Sequence, residues 1–183
     1  MGAMTTFPQG RAWTIADLDQ FPESDGNRYE LIDGVLVVSP SPRVRHQIVS
    51  FRLAQALDTR CPEDLRVLIA PTDVVLSEDT LVVPDLIVAR KTDFTEKNLP
   101  VAPLLAVEIL SPSNRLFDLN IKHDRYRRAG VASYWIVDPD RPSLTAWELQ
   151  DGEYRQIAEV SGDEPFTAST PYEVTIVPAS LLD

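Results

Sequence analysis

Three side chains in this 183-residue chain have types and positions that suit hydrolytic chemistry: Asp85, Glu108 and Lys122. Leu104-Leu105-Ala106-Val107-Glu108-Ile109-Leu110 is a short apolar run with one carboxylate in its second half. A run this apolar predicts a strand covered on both faces, because a half-exposed strand would alternate polar with apolar residues. An ionised carboxylate buried alone costs several kcal/mol, so Glu108 requires a cation, a set of donors or a proton. Val82-Val83-Pro84-Asp85-Leu86-Ile87-Val88-Ala89 is a second apolar strand with one carboxylate near its start. If the two strands pair, Asp85 and Glu108 converge, and a metal ion or a shared proton must relieve their repulsion. Two carboxylates from neighbouring strands suit Mg²⁺, or Mn²⁺ in its place, which accepts one or two protein carboxylates and keeps waters for substrate oxygens. Such an ion lowers the pKa of bound water and stabilises charge building on a phosphate. Lys122 lies on the segment predicted as a helix after the Glu108 strand, and its ammonium would add to both effects. Asp118, Lys122 and Tyr126, spaced four apart, share a face of that helix.

The surrounding elements must bring these groups together. Tyr29-Glu30-Leu31-Ile32 and Val35-Leu36-Val37-Val38 flank Asp33-Gly34, a strong hairpin signal. From Val44 to about Thr59, Ile48, Phe51, Leu53, Ala54 and Leu57 recur at helical intervals and predict an amphipathic helix packed on a sheet. Arg66–Ala70 and Asp73–Leu76 predict one interrupted strand or two short ones. Ser111-Pro112-Ser113-Asn114 breaks the pattern and caps a helix expected from about Arg115 to Ala129, which Gly130 terminates. Ser133–Asp138 is a further strand, and Asp151-Gly152 splits a second hairpin. The tail from Pro165 to Asp183 reads as an edge segment ending in a short helical turn. Hairpin, helix, strands, helix, strand and hairpin together predict an α/β sheet flanked by helices.

Composition narrows the function. With 44% hydrophobic residues the chain can bury one substantial core, so a single domain over residues 1–183 is expected. Seventeen basic against 28 acidic residues give a net charge of −11, which disfavours loose electrostatic binding to nucleic acid. Any such contact must come from a local basic patch, for which Arg115, Lys122, Arg125, Arg127 and Arg128 are the candidates. These cations could instead offset nearby acidic residues. The lone Cys61 forms no internal disulfide and has no second thiol at metal-site spacing. No apolar run approaches the roughly 20 residues that span a bilayer, so a soluble, cytoplasmic protein with no membrane partner is expected.

Several ordered motifs resemble a known family. Tyr29-Glu30-Leu31-Ile32-Asp33-Gly34; Ser39-Pro40-Ser41-Pro42 followed by His46; Val83-Pro84-Asp85-Leu86; Val107-Glu108-Ile109-Leu110-Ser111-Pro112-Ser113; Lys122, Tyr126 and Gly130 at fixed intervals; and Tyr134-Trp135-Ile136-Val137-Asp138-Pro139 together resemble the Uma-type restriction endonuclease family of the PD-(D/E)xK nuclease superfamily. The likeness covers roughly Arg28 to Pro139. It implies a restriction-endonuclease-like mixed sheet flanked by helices, with added N-terminal and C-terminal hairpins. It also implies Asp85 and Glu108 as metal ligands and Glu30 as an additional acidic contributor. The superfamily's lysine, two residues after the acidic position, is here Leu110, and the resemblance moves that role to Lys122 on the following helix. The activity implied is Mg²⁺-dependent hydrolysis of phosphodiester bonds in nucleic acid, most readily DNA; from their own types and positions His46, Arg115 and Arg125 are the candidate substrate contacts. A homodimer is the expected assembly for cutting both strands.

Each residue also has a structural reading. Asp85 could cap a turn, Glu108 could be a satisfied buried carboxylate, and Lys122 could be a snorkelling side chain. Glu30 could flank the hairpin, and His46 could make a local hydrogen bond. The acidic balance and the absence of a lysine at position 110 favour an alternative, a catalytically inactive nuclease-fold protein serving as a binding or assembly module, and a third reading makes both carboxylates structural.

Overall fold

The computed structural model describes residues 5–7, 12–18, 20–21, 26–111, 115 and 117–182. The Asp33-Gly34 pair does what its residue types dictate. Asp33 has φ 51° and Gly34 φ 73°, the left-handed pair that a two-residue hairpin needs. It joins β2 (Asn27–Ile32) to β3 (Val35–Pro40). These strands belong to a five-stranded sheet with β1 (Thr5–Phe7), β5 (Val74–Ser77) and β6 (Thr80–Val82), in the order β1-β3-β2-β6-β5. One face of β2 and β3 buries Leu31 and Leu36 with Trp13, Leu81 and Val83. Period-two alternation turns Glu30 and Ile32 the other way.

A second sheet has six strands in the order β11-β10-β9-β8-β7-β4. They are β4 (Leu65–Ile69), β7 (Leu86–Arg90), β8 (Leu105–Ile109), β9 (Ser133–Asp138), β10 (Ser143–Gln150) and β11 (Glu153–Ser161). Neighbours are antiparallel except β8 and β9, which run parallel. All five residues of β8 are buried, as both-face coverage requires. This six-stranded sheet is the expected mixed sheet, and the N-terminal hairpin β2–β3 lies in the separate five-stranded sheet. Of the two readings of residues 66–76 the two short strands are present, β4 and β5, one in each sheet.

After the short helix α1 (Ile15–Leu18), helix α2 (Val44–Arg60) covers one face of the six-stranded sheet. Its inward residues are His46, Val49, Ser50, Leu53 and Leu57, a correction to the predicted stripe. Leu53 and Leu57 fix the packed face, and stepping back by three and four residues reaches Ser50, Val49 and His46, leaving Ile48 and Phe51 exposed. Full burial of Leu53 and Leu57 stabilises the contact by about 1.5–3 kcal/mol each. The tail is also corrected. Rather than an edge segment, β12 (Phe166–Ala168) and β13 (Val174–Ile176) form their own hairpin, which buries Phe166, Val174 and Ile176 in the same core as α2. The Tyr172 hydroxyl donates to the Leu57 carbonyl at 2.9 Å, and a 3₁₀ turn, Pro178–Leu182, follows.

The parallel β8–β9 pair demands a crossover, and this segment positions the chemistry. Instead of a continuous α-helix from Arg115, a π-helix spans Phe117–Lys122 and passes into α3 (His123–Ala129). Asp118 and Lys122, about one turn apart, share a face of this segment, and both are buried. Gly130, at φ 83°, closes α3 as predicted. The predicted cap at Pro112–Asn114 lies outside the described residues. Among the described residues no helix is long and apolar enough to cross a membrane.

Candidate active site

Strands β7 and β8 pair with Leu86 opposite Val107, so Asp85 and Glu108 occupy the next rung. The alternation that packs Leu86, Val107 and Ile109 against α2 turns Asp85 and Glu108 to the opposite face, toward β2 and the π-helix. The convergence expected from the two strands is therefore present. Pro84 precedes Asp85 without a backbone N–H to offer, and Asp85 lies just outside the ladder.

Asp85 is held by three donors. Its Oδ1 accepts from Arg28 Nη2 at 2.9 Å; its Oδ2 accepts from the Ile109 N–H at 2.8 Å and bonds His46 Nε2 at 3.0 Å. Burial alone would raise its pKa, but His46, Arg28 and the Ile109 amide outweigh burial and hold it well below the usual carboxylate range. His46 must carry a proton on Nε2 to donate, which leaves its buried Nδ1 without a hydrogen-bond partner.

Glu108 is fully buried and differently supplied. Its Oε1 accepts from Lys122 Nζ at 3.0 Å and from the Tyr126 hydroxyl at 2.6 Å, while Oε2 has no hydrogen-bond partner among the described residues. Burial, reinforced by Asp85 and Glu30 and only partly opposed by Lys122, pushes this carboxyl up to about 7. Lys122 Nζ also reaches Glu30 Oε1 at 2.8 Å and lies 3.7 Å from Asp118 Oδ1. Glu30 accepts the Val83 N–H at 2.9 Å through the same oxygen. Burial works against the Lys122 charge, but Glu108, Glu30 and Asp118 outweigh it and raise its pKa, so the ammonium stays protonated. Asp118, whose carboxyl oxygens make no hydrogen bond among the described residues, is raised well above the carboxylate range by burial and by Glu108.

Four buried carboxyl groups thus share two permanent cations, Lys122 and Arg28; the raised pKa values of Glu108 and Asp118 reflect that shortfall, and among the described residues Glu108 Oε2 and both Asp118 carboxyl oxygens have no hydrogen-bond partner. That shortfall and the Glu108 oxygen fit a hard divalent ion held by Asp85 and Glu108. Among the described residues no cluster of three or more His, Cys, Asp or Glu forms a ready-made metal site, so water would complete the coordination.

The structure brings Asp85, Glu108, Lys122, Glu30 and His46 into one cluster; of the two readings of His46, its contact is with the site carboxylate. Arg115 lies apart from that cluster, bonded to Asp138 at 2.6 Å, and lines an open cavity of about 450 Å³ with Leu110, Ser111, Asp140 and Arg141. Arg125 pairs with Asp33 and Asp124, and Arg127 and Arg128 also pair with Asp124, so these three cations offset acidic neighbours. Sequence reasoning missed Arg28. The available signal was its spacing: residues 28 and 30 share one face of a strand, so a strand that delivers Glu30 delivers Arg28 as well.

The chain is similar to a crystal structure described as that of "a putative nuclease belonging to DUF820" from Anabaena variabilis ATCC 29413. The TM-score is 0.70 at 18% identity, and the match covers 92% of this chain and 97% of that one, a likeness of fold. No curated protein matches the chain. The family model described as "Putative restriction endonuclease", Uma2, matches residues 15–177. Matched over nearly its whole length, with Asp85, Glu108 and Lys122 gathered at one buried cluster, the chain belongs to the Uma2 family.

Proposed function

We propose that this chain is a Mg²⁺-dependent endonuclease hydrolysing phosphodiester bonds in nucleic acid, with DNA as its first substrate. The observation that carries the reading is Glu108 Oε2, without a hydrogen-bond partner among the described residues and buried on the same rung as Asp85 in a cluster short of positive charge. Asp85 and Glu108 would hold the ion, which supplies an acidified water and charge neutralisation at the phosphate. The chain's own groups prepare that arrangement. His46 and the Ile109 amide fix Asp85 Oδ2, while Lys122 and Tyr126 fix Glu108 Oε1, so each carboxylate keeps one oxygen oriented by the others. Because Lys122 stays protonated, it acts as a donor and positive charge that orients the attacking water and balances the phosphate, and not as the base. Glu30 holds Lys122 from the far side, which is its contribution to the site. Arg115 and Arg141 line the open cavity beyond β8, apart from the carboxylate cluster, where they could meet a more distant part of a nucleic-acid backbone.

The test is nicking of supercoiled plasmid with Mg²⁺ or Mn²⁺. Loss of nicking in Asp85→Ala and Glu108→Gln supports the reading, and equal activity in wild type and both variants refutes it. One observation favours a binding module without hydrolysis: Arg28 and His46 already satisfy Asp85. That reading predicts no thermal stabilisation by Mn²⁺.

A further inference from the structure

Arg28 is the most exposed group in a nearly sealed cluster. Its side chain is 19% exposed, against 3% or less for Asp85, Glu108, Lys122 and Glu30. Among the described residues its guanidinium uses two of its five N–H donors, one on Asp85 Oδ1 and one on the Val83 carbonyl at 3.1 Å. The Asp85 oxygens are unequally held. Oδ2 is fixed by the Ile109 amide, part of the sheet, and by His46, whereas Oδ1 has Arg28 alone. An approaching phosphodiester therefore meets Arg28 before any carboxylate. It offers the bidentate oxygen pair that a guanidinium fork binds best.

We propose that Arg28 is the phosphodiester-binding residue of this site and that it guards Asp85, leaving Oδ1 for a phosphate oxygen when substrate arrives and thereby completing the divalent-ion site. The inference rests on the nuclease reading above. Without substrate, the guanidinium neutralises Asp85 and blocks one of the two oxygens an ion would use. With substrate, the anionic diester takes over the guanidinium, and Asp85 Oδ1 joins Glu108 Oε2 as an open pair. Ion and diester then favour the same arrangement, so each must tighten the other by the same factor. Val83, a neutral acceptor, tethers the arginine only weakly against this exchange.

The test is calorimetric titration of Mn²⁺ into wild type, Arg28→Gln and Arg28→Lys, each alone and with a short phosphorothioate DNA duplex that resists hydrolysis. In wild type the duplex should tighten Mn²⁺ binding by about tenfold. Arg28→Gln, which cannot neutralise Asp85, should bind Mn²⁺ about tenfold more tightly without DNA and gain less than about twofold from it. Arg28→Lys keeps the charge on Asp85 and so tests the inference even if the glutamine variant folds poorly. It should bind Mn²⁺ alone like wild type but lose most of the gain from DNA, because an ammonium lacks the fork. The inference is overturned if Arg28→Gln binds Mn²⁺ no more tightly than wild type, or if DNA tightens binding equally in all three proteins. Mn²⁺-dependent nicking by wild type alongside either result sinks the guard and spares the nuclease. Absence of Mn²⁺ binding to wild type in both conditions sinks both.

Discussion

Replacing Glu108 by glutamine separates what its charge costs the fold from what the charge does. The carboxyl titrates at about 7 in the folded protein against an ordinary 4.5. A raised acid favours the folded state while it is protonated, so its contribution is fully present below the ordinary value and is lost as pH rises from about 4.5 through about 7. Above that window the ionised, fully buried Glu108 destabilises the metal-free protein by about 3 kcal/mol at most. Glutamine keeps an acceptor for Lys122 and Tyr126 and removes the charge. The expected outcome is that Glu108→Gln is more stable than wild type at pH 8, by about 2–3 kcal/mol, and nearly equal to it at pH 5. For a chain of this size, that gain corresponds to a rise in Tm of about 4–12 °C. Denaturant unfolding at both pH values, without metal, checks it. A glutamine variant less stable than wild type at pH 8, or a difference unchanged between pH 5 and pH 8, would refute the picture of Glu108 as an undercompensated charge.

Lys122→Met should behave in the opposite sense, leaving Glu30, Glu108 and Asp118 buried together without their shared cation; a loss of about 3–5 kcal/mol is expected in urea unfolding at pH 8. Asp85→Asn removes a carboxylate whose pKa is depressed, so its contribution is present above the ordinary value of 3.8 and fades as pH falls below it. That variant should lose about 1–3 kcal/mol at pH 7 and progressively less in acid, read from unfolding midpoints across pH. Gly34→Ala forces a side chain into φ 73°, with its Cβ 2.8 Å from the Ala12 Cβ, and should lower stability by about 1–3 kcal/mol in a thermal melt without altering the Mn²⁺ response.

The pair at the centre of the site was legible because each acid is the single carboxylate of an apolar run, a pattern that burial without a partner would penalise. The two hairpins were legible for a similar reason: Asp33-Gly34 and Asp151-Gly152 supply the positive φ values that two-residue turns require. What escaped depends on contacts between distant segments or on small differences in helical turn. Nothing local to residues 27–32 and 80–82 announces that Leu31 pairs with Leu81, and that pairing carries Glu30 and Arg28 to the site from a separate sheet. In α2, Ile48 and Phe51 are as apolar as Val49 and Leu53, so composition could not choose which stripe packs inward. The π turn differs from an α turn by one residue in its hydrogen-bond register, a difference that the residues from Phe117 to Lys122 do not encode in their propensities. Asp118 and Lys122 were placed on one face in either geometry.

The most direct measurement is anomalous diffraction from a crystal soaked in Mn²⁺ with the phosphorothioate duplex bound. A single strong peak is expected about 2.1 Å from Asp85 Oδ1 and from Glu108 Oε2, with Arg28 turned onto a phosphate. A peak elsewhere, or none with both carboxylates still on their present partners, would contradict it.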